Sequence, residues 1–293
     1  MKKRFLSVAL AAAVAMSATA CTSNPAESKT TAAPAETKAE ETTAAEASSE
    51  GEKKEAAADG DLITVGYAQV GAESDWRTAN TESFKSTFTE ENGYKLIFDD
   101  AQQKQENQIT AIRNFIQQDV DYIVLAPVTE TGWDTVLKEA KDADIPVIIV
   151  DRMIDVSDDS LYTAWVGSNF KMEGQKACEW LNAYAEAKGM KEVNIAHIQG
   201  TIGASAQIGR TEGFDEAVEA HDNWTTLAQQ SGEFTQAKGQ EVMESILKQS
   251  GDDIDVVYCE NDNEAFGAID AIEAAGKLSL IHISEPTRPE PIS

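Results

Sequence analysis

Cysteine and histidine are scarce in this chain of 293 residues, which contains three of each. Neither CxxC nor HExxH occurs, so the usual zinc-binding spacings are missing and no metal site is expected. Cys178 and Cys259 are far apart and fall in a predicted helix and a predicted strand, which favours buried free thiols over a disulfide. The patterns GxGxxG, GxxxxGKS/T and GxSxG are also missing, so the sequence gives no support for a common nucleotide cofactor or a serine hydrolase.

Basic residues are few. The chain has 24 Lys and Arg against 51 Asp and Glu, a formal net charge of -27 at pH 7. Such a surface argues against nucleic acid or an anionic membrane surface as the binding partner. With 42% hydrophobic residues the chain can still bury one or two ordinary cores, since domains usually run to roughly 100 to 200 residues.

A long apolar run is missing as well, because the stretch from Phe5 to Met16 is too short to span a membrane. It follows Lys2, Lys3 and Arg4 and precedes small residues, so residues 1–20 are predicted to be an export signal. Cys21 comes directly after the small residues and resembles the lipid-modified cysteine of a bacterial lipoprotein. Acyl chains there would hold the protein at a membrane surface. The alternative is a plain secretory signal with a chance cysteine.

Residues 21–60 are almost entirely Ala, Glu, Thr, Ser and Lys, without aromatic residues or apolar periodicity. Such a segment cannot bury enough surface to offset its chain entropy. It is predicted to be a flexible tether between the lipid anchor and a globular part.

From residue 61 onward, apolar strand-like runs alternate with amphipathic helical segments, a pattern typical of parallel βαβ units. Two such series predict an α/β fold with an N-terminal lobe at 61–166, a C-terminal lobe at 167–277 and a cleft between them. The predicted strands are 62–69, 94–98, 122–126, 145–150, 161–166, 193–198, 225–229 and 254–259. The predicted helices are 78–91, 103–118, 132–141, a helix capped by Ser168 or Asn169 and ending near 188, 205–220, 235–249 and 263–275.

The last residues, 278–293, contain three prolines and no apolar period, so no further strand or helix is predicted there. The string resembles the translation of a sequencing adapter and is interpreted as a non-native tail; a natural disordered tail is the alternative. On the first interpretation the second lobe is incomplete at its C-terminal end.

Polar side chains cluster directly after the predicted strands, at the edge where open α/β sheets bind their ligands. Carboxylates accept hydrogen bonds from sugar hydroxyls, guanidinium groups donate two at once, and an indole can cover an apolar ring face. These side chains are therefore predicted to bind a polyhydroxylated ligand. The candidate residues are Glu73, Ser74, Trp76, Arg77, Asp151, Arg152, Arg210 and Asn261.

Each candidate has a structural alternative. Trp76 could pack against a helix, Asp151 and Arg152 could form a surface pair, and Arg210 could be solvated on its helix. Asn261 could cap the following helix, alone or in addition to binding. Residues 199–205 form a glycine-containing turn before a helix, which could cradle a phosphate, although a tight turn is the simpler interpretation.

Several segments resemble the galactofuranose-binding proteins of bacterial sugar ABC transporters, a branch of the type I periplasmic binding proteins of the ribose- and galactose-binding class. The longest are GYAQVGAESDWR, DDAQQKQENQITAIRNF, LAPVTETGWDTVLKEAKDADIPVIIVDR, QGTIGASAQIGRTEGF and SGEFTQAKGQEVMES. The resemblance covers about 61–277 and implies two lobes that enclose a sugar. It places the family's ligand contacts on the eight candidates named above, while Asp75 stands where some relatives have glycine.

The export signal, Cys21 and the resemblance together predict a lipid-anchored binding protein in the cell envelope, which is expected to be a monomer. It would capture a monosaccharide, galactofuranose in particular, and deliver it to an ABC transporter permease without covalent chemistry or a cofactor. A sensor that presents sugar occupancy to a membrane receptor and a secreted glycoside-processing enzyme are the alternatives. A DNA-binding repressor is disfavoured, since the export signal occupies the place of its headpiece.

Overall fold

The computed structural model describes residues 62–277 together with the backbone of residues 281–284. The predicted signal peptide, Cys21 and the tether lie outside the described residues. In the described part the chain forms the two α/β lobes expected from the sequence, each built on a parallel sheet.

The first lobe has a five-stranded parallel sheet with the strand order β2-β1-β3-β4-β5. Its strands are β1 Ile63–Gln69, β2 Tyr94–Asp100, β3 Tyr122–Leu125, β4 Val147–Val150 and β5 Ala164–Val166. Its helices are α1 Asp75–Thr87, α2 Gln105–Gln117 and α3 Asp134–Asp142.

The second lobe has a four-stranded parallel sheet with the strand order β7-β6-β8-β9. Its strands are β6 Val193–Gln199, β7 Trp224–Ser231, β8 Val256–Cys259 and β9 Ile281–Ser284. Its helices are α4 Phe170–Lys188, α5 Ser205–Glu219, α6 Gln236–Ser250 and α7 Asp262–Ala274. No described helix has both the length and the apolar character that crossing a membrane requires.

Hydrophobic cores lie on both faces of each sheet because successive strand residues point to opposite sides. In the second lobe, Ile195 of β6 belongs to the core under α4 and α5, which includes Leu181 and Phe214. Its neighbour Ala196 belongs to the core under α6 and α7. Strands covered on both faces are continuous apolar runs, which is why they could be found in the sequence.

Both ends of helix α1 differ from the sequence prediction. Helix α1 begins at Asp75 rather than at residue 78, because the side chain of Ser74 accepts from the backbone N–H of Arg77 and caps the helix there. It ends at Thr87 rather than at residue 91, and the chain continues in a short 3₁₀ turn.

The expectation of no regular element after α7 is wrong, because β9 pairs in parallel with β8. Residues 281–284 read Ile-His-Ile-Ser, and β-branched residues suit strands. The edge of β8 also offers backbone groups that a further strand can pair with. That the segment 278–293 is non-native stays a prediction.

Cys178 and Cys259 are buried free thiols, as predicted. The lobes meet at the crossover from β5 to α4, where Asn169 caps α4 by accepting from the backbone N–H of Met172. Strands β1, β4, β6 and β8 therefore direct their carboxyl ends toward the region between the lobes, where the candidate residues lie.

Candidate ligand-binding cleft

A cavity of about 250 Å³ lies between the lobes, at the carboxyl ends of their strands. The carboxyl edge of a parallel sheet is the usual ligand-binding position in open α/β folds. The cavity is lined by Glu73, Ser74, Trp76, Arg77, Asp151, Arg152, Ser168, Phe170, Glu173, Ala206, Arg210, Phe234 and Asn261.

The loop after β1 and the first turn of α1 supply one wall of the cavity. Glu73 lies in the loop, and Arg77 lies four residues later in the helix. Arg77 is buried; its Nε lies 3.1 Å from Glu73 Oε1 and its Nη2 lies 2.6 Å from Asp151 Oδ2. Burial alone would lower the pKa of Arg77, but the charges of Asp151 and Glu73 outweigh it and raise the pKa. The Arg77 guanidinium also lies over the Trp76 ring, 4.8 Å from its centroid.

Asp151 and Arg152 follow β4 and connect to that wall. Asp151 has a left-handed backbone with φ of 60°, a strained conformation for most residues that aspartate tolerates. Arg152 is buried, donating from Nη2 to Glu73 Oε1 at 3.3 Å and from Nη1 to the carbonyl of Val128 at 3.3 Å. Burial lowers the pKa of Arg152 to about 10, so its guanidinium remains protonated at neutral pH. The interpretation of this pair as a surface ion pair is wrong.

The second lobe presents Arg210 from α5 against the first turn of α4. Arg210 is 7% exposed, and both its Nε and its Nη2 lie 3.0 Å from Glu173 Oε2. Its guanidinium also lies over the ring of Phe170, 5.2 Å from the centroid. The solvated alternative for Arg210 is therefore wrong.

Phe234 and Asn261 form the remaining wall, and their positions depend on each other. Asn261 caps α7 by accepting from the N–H of Glu264, while its Nδ2 donates to the carbonyl of Phe234. The N–H of Phe234 donates to Glu264 Oε1. Phe234 has a φ of 61°, and its ring fits against Gly200, where a Cβ would come within 1.9 Å of it. Burial raises the pKa of the Glu264 carboxyl well above its ordinary value.

Hydrogen bonds between described residues join the lobes around the cavity. The N–H of Met153 donates to Ser205 Oγ, the N–H of Glu130 to the carbonyl of Gly203, and the N–H of Asp75 to Asn263 Oδ1. The two side-chain acceptors, Ser205 and Asn263, are outside the cavity lining.

A buried polar network lies behind the cavity in the second lobe. His197 of β6 lies 3.1 Å from Glu260 Oε1 through Nε2 and 3.6 Å from Asp215 Oδ1 through Nδ1. Glu260 also accepts from the N–H of Gly200 and from Thr211. Burial alone would lower the pKa of His197, but the hydrogen bonds and charges of Asp215 and Glu260 raise it.

The turn at residues 199–205 is not free to bind a phosphate. The N–H of Gly200 donates to Glu260 Oε2, that of Gly203 to Gln207 Oε1, and that of Ala204 to the carbonyl of Thr201. The simpler interpretation of a tight turn therefore agrees with the structure. In the described part of the chain, no group of three His, Cys, Asp or Glu side chains could hold a metal ion.

All eight residues predicted from the sequence line this cavity, although their roles as ligand contacts stay predictions. Five lining residues were missed: Ser168, Phe170, Glu173, Ala206 and Phe234. Ser168, Phe170 and Glu173 lie at the start of α4, and the predicted cap at Ser168 or Asn169 after the lobe crossover was the available signal. Phe234 follows β7, whose end lies two residues later than predicted.

Comparison with known proteins gives the family. The family model described as a periplasmic binding protein domain matches residues 65–284. The chain belongs to the periplasmic binding protein domain family. This periplasmic binding protein domain is 50% identical over 216 residues to the galactofuranose-binding protein YtfQ of Escherichia coli, a match that covers 73% of this chain and 67% of YtfQ.

Two solved structures are similar over the same region. The first, a protein from Mycobacterium smegmatis in complex with β-D-fucofuranose, is 47% identical with a TM-score of 0.73, covering 76% of this chain and 73% of that one. The second is the periplasmic binding protein component of the arabinose ABC transporter from Shewanella sp. ANA-3, bound to α- and β-L-arabinofuranose. It is 48% identical with a TM-score of 0.71, covering 75% of this chain and 73% of that one. The resemblance to galactofuranose-binding proteins that the sequence showed is confirmed.

Proposed function

We propose that this chain is an extracytoplasmic solute-binding protein that captures a monosaccharide in its furanose form, galactofuranose above all, in the cleft between its lobes. The observation that carries the proposal is the composition of the cavity, which combines three guanidinium groups, three carboxylates and three aromatic rings. A sugar ring has polar hydroxyls at its edge and apolar C–H faces, so it can use both kinds of group.

The size of the cavity supports a single sugar unit. At about 250 Å³ it is below the range of roughly 300–1,000 Å³ typical of sites for drug-sized ligands. A monosaccharide fits this description better than an oligosaccharide.

Two buried atoms of the first wall support hydroxyl binding. Glu73 Oε2 and Arg77 Nη1 make no hydrogen bond within the described part of the chain. A buried polar group without a partner costs free energy, so a sugar hydroxyl that reached these atoms would gain affinity. A hydroxyl can donate to a carboxylate oxygen and accept from a guanidinium, which matches one atom of each kind.

The relatives support the furanose form. YtfQ is named for galactofuranose, and the two similar solved structures hold fucofuranose and arabinofuranose. Identities of 47–50% across this region make a shared ring preference the simplest expectation.

The ion pairs of the cavity support binding without covalent chemistry. Each lining carboxylate lies against an arginine: Glu73 against Arg77 and Arg152, Asp151 against Arg77, and Glu173 against Arg210. A glycoside hydrolase needs one carboxyl group that stays protonated as a general acid. Carboxylates held against guanidinium groups suit the acceptance of hydrogen bonds instead.

We extend the proposal to delivery of the sugar to an ABC transporter permease, with the protein held at the membrane by a lipid on Cys21. The permease partner is supported by the arabinose ABC transporter component described above. The lipid is supported by the sequence before Cys21 alone. Loss of labelled fatty-acid incorporation in Cys21→Ser, with unchanged export, is the expected result for the anchor; equal incorporation would contradict it.

The sugar proposal is tested by titrating the purified chain with monosaccharides while tryptophan fluorescence and melting temperature are recorded. The panel contains galactose, arabinose, fucose, ribose, fructose and glucose. Galactofuranose, the main probe, is supplied as its methyl β-D-furanoside, because the free sugar interconverts between furanose and pyranose rings in water. We expect galactofuranose to change the fluorescence and raise the melting temperature at the lowest concentration. If no member of the panel does either, the proposal is wrong.

A further inference from the structure

We propose that Glu173 is a specificity-determining residue that keeps the cleft electrically balanced, so that it accepts uncharged sugars and rejects sugar acids. This inference rests on the proposed function, because it assumes that the ligand is a sugar. It concerns a residue that lies in a helix rather than at the end of a strand, and it names a class of ligand that the cleft excludes.

The geometry links Glu173 to one arginine. Glu173 Oε2 lies 3.0 Å from both Nε and Nη2 of Arg210, so one carboxylate oxygen bridges two donors of that guanidinium. Phe170 lies about one turn before Glu173 on α4, and its ring covers the guanidinium of Arg210. Asn169 fixes the start of α4 by capping it, so both groups project from a rigid first turn. The Glu173 side chain is 24% exposed and lines the cavity.

The balance follows from the ionisable groups that line the cavity. In the first lobe, Glu73 forms ion pairs with both Arg77 and Arg152. Asp151 forms a further ion pair with Arg77. These four groups of the first lobe carry two positive and two negative charges. In the second lobe the pair is Arg210 and Glu173, so the six charges cancel. Within a partly closed cleft an unbalanced charge has a larger effect than in water, because the effective dielectric constant is lower.

A sugar acid would meet this arrangement unfavourably. Its carboxylate would seek Arg210, whose Nε edge already faces the carboxylate of Glu173, and two like charges would then share one guanidinium. A neutral hydroxyl adds no charge and causes no such repulsion. Glu173 thus acts as a repulsive element against one class of ligand, a common route to specificity.

The test compares Glu173→Gln with the wild type for two probes, D-galactose and D-galacturonate, which differ by the carboxylate at C6. Dissociation constants are measured by calorimetry, and the result is their ratio, galacturonate over galactose. We expect Glu173→Gln to lower the ratio by at least about tenfold, because it removes the negative charge that repels the galacturonate carboxylate at Arg210. The ratio cancels any general loss of affinity that affects both probes.

Two further variants control the comparison. Glu173→Asp keeps the charge and should keep the ratio near that of the wild type. Glu212→Gln removes an exposed carboxylate that pairs with Lys171 outside the cavity, and it should not change the ratio. The galacturonate affinity gained by Glu173→Gln should fall as NaCl is added, because salt screens the new attraction.

A ratio that stays at the wild-type value in Glu173→Gln overturns the inference, as does an equal fall in Glu212→Gln. Failure of the proposed function gives a different result, since no neutral sugar of the panel would then bind the wild type. A melting curve of each variant shows whether the protein folds without the ion pair between Glu173 and Arg210. If Glu173→Gln is unfolded, Glu173→Ala with the same ratio as readout replaces it.

Discussion

The backbone N–H of Met153, in the first lobe, donates to Ser205 Oγ at the start of α5 in the second lobe, at 2.7 Å. The two residues lie 52 positions apart, and neither lines the cavity. This hydrogen bond therefore exists only while the lobes are together. Any ligand that bridges the lobes is coupled to it, because a ligand favours the state that offers it more contacts.

Ser205→Ala should weaken sugar binding without altering the cavity lining. The lost hydrogen bond is worth about 0.5–1.5 kcal/mol, which corresponds to roughly a two- to tenfold rise in Kd. The change should lie mainly in the dissociation rate, because the bond must break when the lobes separate to release the sugar. Stopped-flow fluorescence separates the two rates. Ser83→Ala on the exposed side of α1 is the matched control, and equal dissociation rates in Ser205→Ala and wild type would contradict the closing role.

Trp76→Ala should weaken binding by roughly tenfold, since loss of the ring removes both stacking area and the support beneath Arg77. Trp76→Phe keeps an aromatic face and should lose less. Calorimetry is the suitable measurement, because the substitution also removes a fluorophore. A Trp76→Ala variant that binds the sugar as tightly as the wild type would show that the indole packs within the protein and does not stack on the sugar.

Asp151→Asn should reduce both stability and affinity, because it removes the charge that faces buried Arg77 at 2.6 Å. Asparagine tolerates the left-handed backbone at this position, so the effect reports the lost charge. We expect a loss of about 1.5–3 kcal/mol in the free energy of unfolding, measured with urea. Asp155→Asn, an exposed change in the same loop, is the control. Unchanged stability in Asp151→Asn would mean that the negative charge of Glu73 alone is sufficient to balance the positive charge of Arg77.

The free energy of unfolding should depend on pH through His197. Its folded-state pKa is raised above 6.5, so its stabilising contribution is complete below pH 6.5 and is lost as the pH rises through the folded-state pKa. The pKa of Asp215 is lowered below 3.8, so its contribution is present above that pH and is lost only in acid. Glu260 and Tyr258 are the other titratable groups that face the ring.

His197→Gln should therefore flatten the fall in stability above pH 6.5, as measured by urea unfolding at a series of pH values. His221→Gln changes a histidine outside this network and should keep the wild-type profile. A His197→Gln profile with the same slope as the wild type would assign the pH dependence to other groups.

The architecture could be predicted because buried parallel strands are continuous apolar runs and because four helix starts carry a capping side chain. Ser74, Asn169, Thr235 and Asn261 each accept from a backbone N–H three residues later. These are local signals, set by neighbours in the chain. The same local signals located five of the eight candidate residues, which lie in a loop after a strand or cap the following helix: Glu73, Ser74, Asp151, Arg152 and Asn261.

The rest of the cleft could not be predicted because it depends on contacts between distant segments. Glu173 becomes a cavity residue only through its contact with Arg210, 37 positions away. Phe234 is held by Glu264 and Asn261, about 30 positions further along. The strand β9 was missed for a similar reason, since its formation depends on the edge of β8 rather than on its own short sequence.

The left-handed backbone at Asp151 and Phe234 decides where this cleft can be redesigned for another sugar. Val, Ile and Thr are strained at positive φ, so many members of a library randomised at either position would fold poorly. Phe170 and Glu173 lie in the regular helix α4, where side chains of many shapes keep the same backbone. Selection experiments for new ligands should therefore place their diversity at the first turn of α4 and leave the two left-handed positions unchanged.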